Sequence, residues 1–140
     1  MEIRLKLDPD AADENLVRDG LRAYNEQAGG PTEFQPVAFM LHDDAGQAVG
    51  GLMGVAFYDW LFVQYLHVPP SLRGQGLGRR LLEQAEAFAR ERGLTGVWLD
   101  TFDFQARPFY EKLGYRVFGT LPDHPVGGAR HFLAKRLDGT

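Results

Sequence analysis

The chain contains no cysteine, which removes disulfide scaffolds, thiol nucleophiles and zinc–thiolate sites and leaves packing as the source of stability. It has no apolar run long enough to span a bilayer. Its first residues, Met1-Glu-Ile-Arg-Leu-Lys, alternate charged and apolar side chains where a signal peptide would be uniformly apolar. A cytoplasmic location with no membrane partner is therefore expected. Basic charge is also in deficit, with 15 Lys and Arg against 19 Asp and Glu and a net charge of -4. No basic tract stands out, so nucleic acid is not an expected partner. His42, His124 and His131 are scattered, and no metal site is expected. What is present, 44% hydrophobic residues in 140, suffices for one core and one domain over residues 1–140.

Periodicity divides the chain into short elements. Residues 2–7 alternate Ile3, Leu5 and Leu7 against charged neighbours, the period of a half-buried strand. From Asp10, the spacing of Ala12, Leu16, Leu21 and Tyr24 predicts a helix that stops at Gly29-Gly30. Residues 37–41, 48–58 and 61–68 read as strands, the first two joined through the turn-forming Asp43-Asp44-Ala45-Gly46 and the last ended by Pro69-Pro70. In residues 76–92, Leu77, Leu81, Leu82, Ala85, Phe88 and Ala89 form one helical stripe, with Arg79, Arg80, Glu83, Glu86 and Arg90 placed on polar faces. A strand over 95–102, a short helix over 105–113 with Pro108 in its first turn, and strands over 115–121 and 131–137 complete the pattern.

Between the strand ending in prolines and the long helix lies Arg73-Gly74-Gln75-Gly76-Leu77-Gly78-Arg79. Alternate glycines let backbone N–H groups approach an anion, and the helix start adds unsatisfied donors and a positive dipole end. Arg73 adds a guanidinium for charge-assisted hydrogen bonds. The nucleotide-triphosphate loop is excluded because its Gly-Lys-Ser/Thr ending is missing. The dinucleotide fingerprint is disfavoured by the G-x-G-x-G spacing and by the hairpin-connected strands before it. On the residues alone this is an anion-binding turn.

The segment resembles the cofactor motif of the GCN5-related N-acetyltransferases, Gln/Arg-x-x-Gly-x-Gly/Ala, and a second stretch resembling the family follows at Ala106-Arg-Pro-Phe109-Tyr110-Glu-Lys-Leu-Gly114-Tyr115. The resemblance implies a single α/β domain of mixed α+β character. Its bent, mostly antiparallel mixed sheet has about seven strands flanked by helices, and strands four and five, here 61–68 and 95–102, splay around the cofactor. It implies acetyl-coenzyme A as cosubstrate. The amides from Arg73 to Arg79 (Arg73, Gly74, Gln75, Gly76, Leu77, Gly78 and Arg79) would hold the pyrophosphate, the main chain at Leu66 and Val68 would pair with the pantetheine arm, and Phe109 would pack beside it. The family often carries an asparagine ahead of the Phe-Tyr pair; Gln105 is the substitute here.

The implied reaction is attack of a neutral primary amine on the thioester through a tetrahedral intermediate, with Tyr110 matching the tyrosine that protonates the departing sulfur. A phenol of ordinary pKa near 10 is a proton donor at neutral pH. The base is open among His67, Gln64, Asp59, Asp100 and water, because Phe62 stands where related enzymes place a glutamate. The aromatic cluster Phe57, Tyr58, Trp60, Phe62 and Tyr65 is either core or the wall of an acceptor pocket, and the 121–130 loop is a candidate rim. The expected partner is a small-molecule amine acceptor. A peptide or protein amine and a non-catalytic acyl-coenzyme A sensor are the alternatives, and the oligomeric state is open, a homodimer being one option.

Overall fold

The computed structural model describes residues 1–140, which form two compact units, Met1–Thr32 and Glu33–Thr140. In the first, helix α1 runs over Ala11–Gly29. A reciprocal capping box starts it: Asp13 N donates to the Asp10 carboxylate at 2.9 Å, and Asp10 N donates to the Asp13 carboxylate at 3.2 Å. The periodic apolar residues Leu16, Leu21 and Tyr24 are all exposed. The expected strand over residues 2–7 does not form, and Ile3, Leu5 and Leu7 are exposed. Alternation supplies a face but no hydrogen-bond partners, and this unit contains no second strand to provide them.

The second unit contains strands β1 (Gln35–His42), β2 (Ala48–Phe57) and β3 (Trp60–His67), helix α2 (Leu77–Glu91), strand β4 (Gly96–Phe102), helix α3 (Arg107–Lys112), and strands β5 (Arg116–Pro122) and β6 (Ala129–Arg136). The six strands form one sheet in the order β1-β2-β3-β4-β6-β5, one fewer than expected. Only the β3–β4 pair is parallel, because α2 carries the chain across between them. The fold is therefore the mixed α/β arrangement anticipated from the sequence, a mostly antiparallel sheet flanked by helices. No helix is long and apolar enough to cross a membrane.

The α2 stripe is buried as its periodicity requires: Leu81, Leu82, Ala85 and Ala89 pack with Leu52, Leu61, Val97, Leu99 and Leu133 from the sheet. Each fully buried leucine contributes roughly 1.5–3 kcal/mol, so this layer dominates the fold. Glu86 corrects the sequence reading, which placed it on a polar face. It is only 4% exposed. Lys135 Nζ donates to Oε1 at 2.8 Å and the Tyr115 hydroxyl donates to Oε2 at 3.0 Å, whereas the helical partner Arg90 stands 3.8 Å away. Burial and the adjacent Glu86 carboxylate push the Tyr115 phenol far above its ordinary pKa, which keeps it a donor.

Removing one member of such a network strands the others. Glu86→Ala is expected to lower unfolding stability by about 3 kcal/mol, the low end of the range for a broken buried pair, since the Lys135 side chain keeps 27% exposure. Glu83→Ala, which breaks an exposed pair with Arg79, should cost less than about 1 kcal/mol. Urea midpoints of the two variants test the contrast.

Candidate active site

Strands β3 and β4 pair only over three positions, Trp60↔Gly96, Leu61↔Val97 and Phe62↔Trp98. Beyond them β4 stays with β6 as far as Phe102, and β3 stays with β2 as far as His67. In the β2–β3 ladder Gly54 faces Val63 and Met53 faces Tyr65, so Gln64 is an extra residue on β3. A bulge bends the strand that carries it. This one lies two residues past the last β3–β4 pair, and the strands part there. The main-chain groups on the β4 side of β3 are left without a strand partner over Gln64–His67.

The turn after β3 is a single 3-10 turn, Pro70–Leu72. Arg73 Nε donates to the Val68 carbonyl at 3.0 Å and folds the segment back on the strand end. Gly76 is the N-cap of α2 at φ +75°, and no side chain caps the helix. A β-carbon here would meet no atom within 4 Å, so the demand for glycine is conformational. The first helical bond is Arg80 N to Gly76 O at 3.0 Å. The amides of Leu77, Gly78 and Arg79 therefore have no acceptor within the helix. Gly78 serves a different purpose: a β-carbon there would lie 3.1 Å from the Phe109 ring. This close approach brings the two sequence motifs together.

A cavity of about 670 Å³ occupies the space they enclose. Leu66 and Val68 border it, as do Arg73, Gly74, Gly76, Leu77, Gly78, Arg79, Gln105, Phe109 and Tyr110. Gln75 is the one expected cofactor residue that does not. An anion fits the donor set, with three uncapped amides and two arginines. The Arg79 side chain is engaged with Glu83 at 2.9 Å. Gln105 uses Oε1 to accept from Phe102 N at 2.8 Å and from the Thr101 hydroxyl at 3.2 Å, so its Nε2 is the group left for a ligand.

A second cavity of about 590 Å³ opens between the parted strands, lined by residues 62–67 of β3 and 99–102 of β4. The two share Leu66, His67, Gln105, Ala106 and Tyr110 as walls. Tyr110 is 8% exposed, with its ring edge-on to Phe109 and Tyr115. Burial, and secondarily the charge of Asp100, push its phenol up to about 12. Of the open base candidates, His67 borders both cavities and Gln64 and Asp100 border the second. Asp59 borders neither; it sits in the β2–β3 turn, at the end of β3 where the strands are still paired. The aromatic cluster divides: Phe62, stacked 4.1 Å from Trp98, and Tyr65 line the second cavity, whereas Phe57, Tyr58 and Trp60 line a separate apolar surface. From the 121–130 loop only Arg130 reaches the second cavity. Its pairing with Asp100 went unrecognised in the sequence, where 30 residues separate them.

A family profile described as the acetyltransferase (GNAT) family matches residues 6–115. The chain belongs to this family. It is 37% identical over 128 residues to an acetyltransferase of Agrobacterium fabrum, covering 91% of this chain and 93% of that one. It is 45% identical over 95 residues to blasticidin-S acetyltransferase of Streptomyces morookaense, covering 67% and 70%. A crystal structure from Agrobacterium tumefaciens, described as a candidate acetyltransferase, superimposes with a TM-score of 0.92 at 36% identity, covering 97% of this chain and 99% of that one. The GNAT chain is thus an enzyme of the N-acetyltransferase class, and the gap between β3 and β4 is its candidate active site.

The raised Tyr110 pKa has a consequence for alkaline stability. Below the unfolded-state value near 10 both states are protonated and the contribution is whole; as pH rises toward 12 the unfolded chain loses its proton first and is favoured. Between about pH 10 and 12, wild type should lose on the order of 2 kcal/mol more unfolding stability than Tyr110→Phe, as read by denaturant titrations at several pH values.

Proposed function

We propose that the enzyme transfers the acetyl group of acetyl-coenzyme A to a primary amine of a small molecule by direct attack. The observation that carries this reading is that Tyr110 is a common wall of two cavities meeting where β3 and β4 part. One cavity has the donors for a pyrophosphate and the other has room for an acceptor. A volume of about 590 Å³ falls in the range typical of small-molecule sites, roughly 300–1,000 Å³. The Streptomyces relative, named for acetylating blasticidin S, supports the same acceptor size class.

Acetyl-coenzyme A, when bound, supplies an activated thioester carbonyl. The amides of Leu77, Gly78 and Arg79, with those of the preceding turn from Arg73, hold its pyrophosphate. The main chain at Leu66 and Val68 continues the ladder of β3 onto the pantetheine amides, with Gln105 Nε2 and the Phe109 ring beside the arm. The Leu66 amide polarises the carbonyl as a preorganised donor. His67, between the two cavities, takes the proton of the acceptor amine. As the new C–N bond forms and the C–S bond breaks, the Tyr110 hydroxyl gives its proton to the departing sulfur. A raised pKa keeps that proton on the phenol throughout the working pH range.

Incubating the purified protein with acetyl-coenzyme A and a panel of amines should release thiol and acetylated product in step; thiol release that does not depend on any acceptor contradicts the reading. Tyr110→Phe should lower kcat by about 10²-fold with coenzyme A affinity unchanged, and an unaltered kcat removes the residue as the acid. Gly76→Val forces a branched side chain into a left-handed conformation costing about 1–2 kcal/mol. Coenzyme A binding should weaken by about tenfold while the circular dichroism spectrum keeps its shape, as calorimetric titration can establish.

A further inference from the structure

The acceptor-side cavity contains one carboxylate and one guanidinium, Asp100 and Arg130, set among the rings of Phe62, Tyr65 and Phe102. The β4–β6 register explains their meeting. Asp100 lies opposite Phe132 and Arg130 opposite Phe102, so the charged residues are diagonal neighbours on one face of the sheet. Arg130 Nε donates to Asp100 Oδ1 at 3.0 Å, and Nη2 lies 2.8 Å from the same oxygen. The guanidinium carbon stands 5.5 Å from the Phe102 ring centre and 5.4 Å from that of Phe132. Two aromatic contacts and an ion pair thus hold the guanidinium in one orientation.

Two features point beyond a structural ion pair. The contacts use a single carboxylate oxygen and the Nε–Nη2 edge of the arginine, so Oδ2 and the Nη1 end of the fork remain for a ligand. The pair also borders the cavity next to Tyr110, close enough for the Asp100 charge to act on that phenol. Because the pair has no net charge, a purely cationic acceptor gains at Asp100 what it loses near Arg130. Only a ligand carrying both signs gains at both.

We propose that Asp100 and Arg130 form a subsite for a zwitterionic acceptor, Asp100 Oδ2 receiving its ammonium and the free end of the Arg130 fork its carboxylate or phosphate. The acceptor class is then a small amino acid-like molecule whose apolar body lies against Phe62 and Tyr65. This rests on the reading of the β3–β4 gap as the acetyl-transfer site.

Calorimetric titration of the coenzyme A-saturated enzyme with matched pairs tests it: phenylalanine against phenethylamine for a carboxylate, and O-phosphoethanolamine against ethanolamine for a phosphate. The anionic member of at least one pair should bind about tenfold or more tightly, and the pair that discriminates identifies the anion. Arg130→Gln should bring that ratio close to one, and Arg130→Lys, which keeps the charge without the fork, should leave a reduced ratio. Absence of tighter binding by either anionic member to wild type overturns the proposal, as does an Arg130→Gln variant that weakens both members of a pair equally. The wild-type ratios and the lysine variant keep the test decisive should Arg130→Gln not fold. Thiol release from acetyl-coenzyme A, measured on the same compounds, separates the two readings. Discrimination without release leaves the subsite standing and counts against transfer; release without discrimination does the reverse.

Discussion

The site depends on the early end of one strand pairing. β3 and β4 hold together over three residue pairs and then follow different neighbours, β3 with β2 and β4 with β6. The bulge at Gln64 bends β3 at that point, and antiparallel ladders on the outer sides hold each strand on its own course. Both cavities, the exposed edge of β3 and the position of Tyr110 between them follow from this separation. A continuous parallel ladder to His67 and Phe102 would fill the gap with backbone hydrogen bonds.

The separated strands are braced from behind by α2. Its apolar stripe fixes the helix to the sheet, which places the uncapped N-terminal amides beside the end of β3. The contact between Gly78 and Phe109 ties α3 to the first turn of α2. Further along, Glu86 reaches Tyr115 and Lys135, linking α2 to the residue just before β5 and to β6. Tyr110 lies between these two ties, and Tyr115 N donates back to its carbonyl at 3.1 Å. The rings of Phe109 and Tyr115 stand edge-on to that of Tyr110 and give its phenol a defined direction.

Much of this was legible along the chain. The α2 stripe, the hairpin at Asp43, the proline stop after β3 and the two glycine-linked motifs are local signals, and each lies within a few residues of where it was read. The exceptions share a cause. Glu86 looks polar by helical period, and only Lys135, 49 residues on, and Tyr115, 29 residues on, make its burial tolerable. Residues 2–7 have the strand period, yet a strand needs a partner edge that periodicity does not supply. Asp59 was close in sequence to the strand that forms the site, but it lies at the end that stays paired.

By itself the sequence determined the order of elements from α1 onward, the glycine-rich start of α2 with its uncapped amides, and the family, because backbone conformation, helix-start donors and motif spacing are properties of neighbouring residues. Tertiary structure alone decided that the two motifs meet through Gly78 and Phe109, that Gln64 is the bulge where the strands part, and that Asp100 and Arg130 become a diagonal pair bordering the second cavity. Those outcomes depend on strand register and on contacts between residues distant in the chain, which no local pattern encodes.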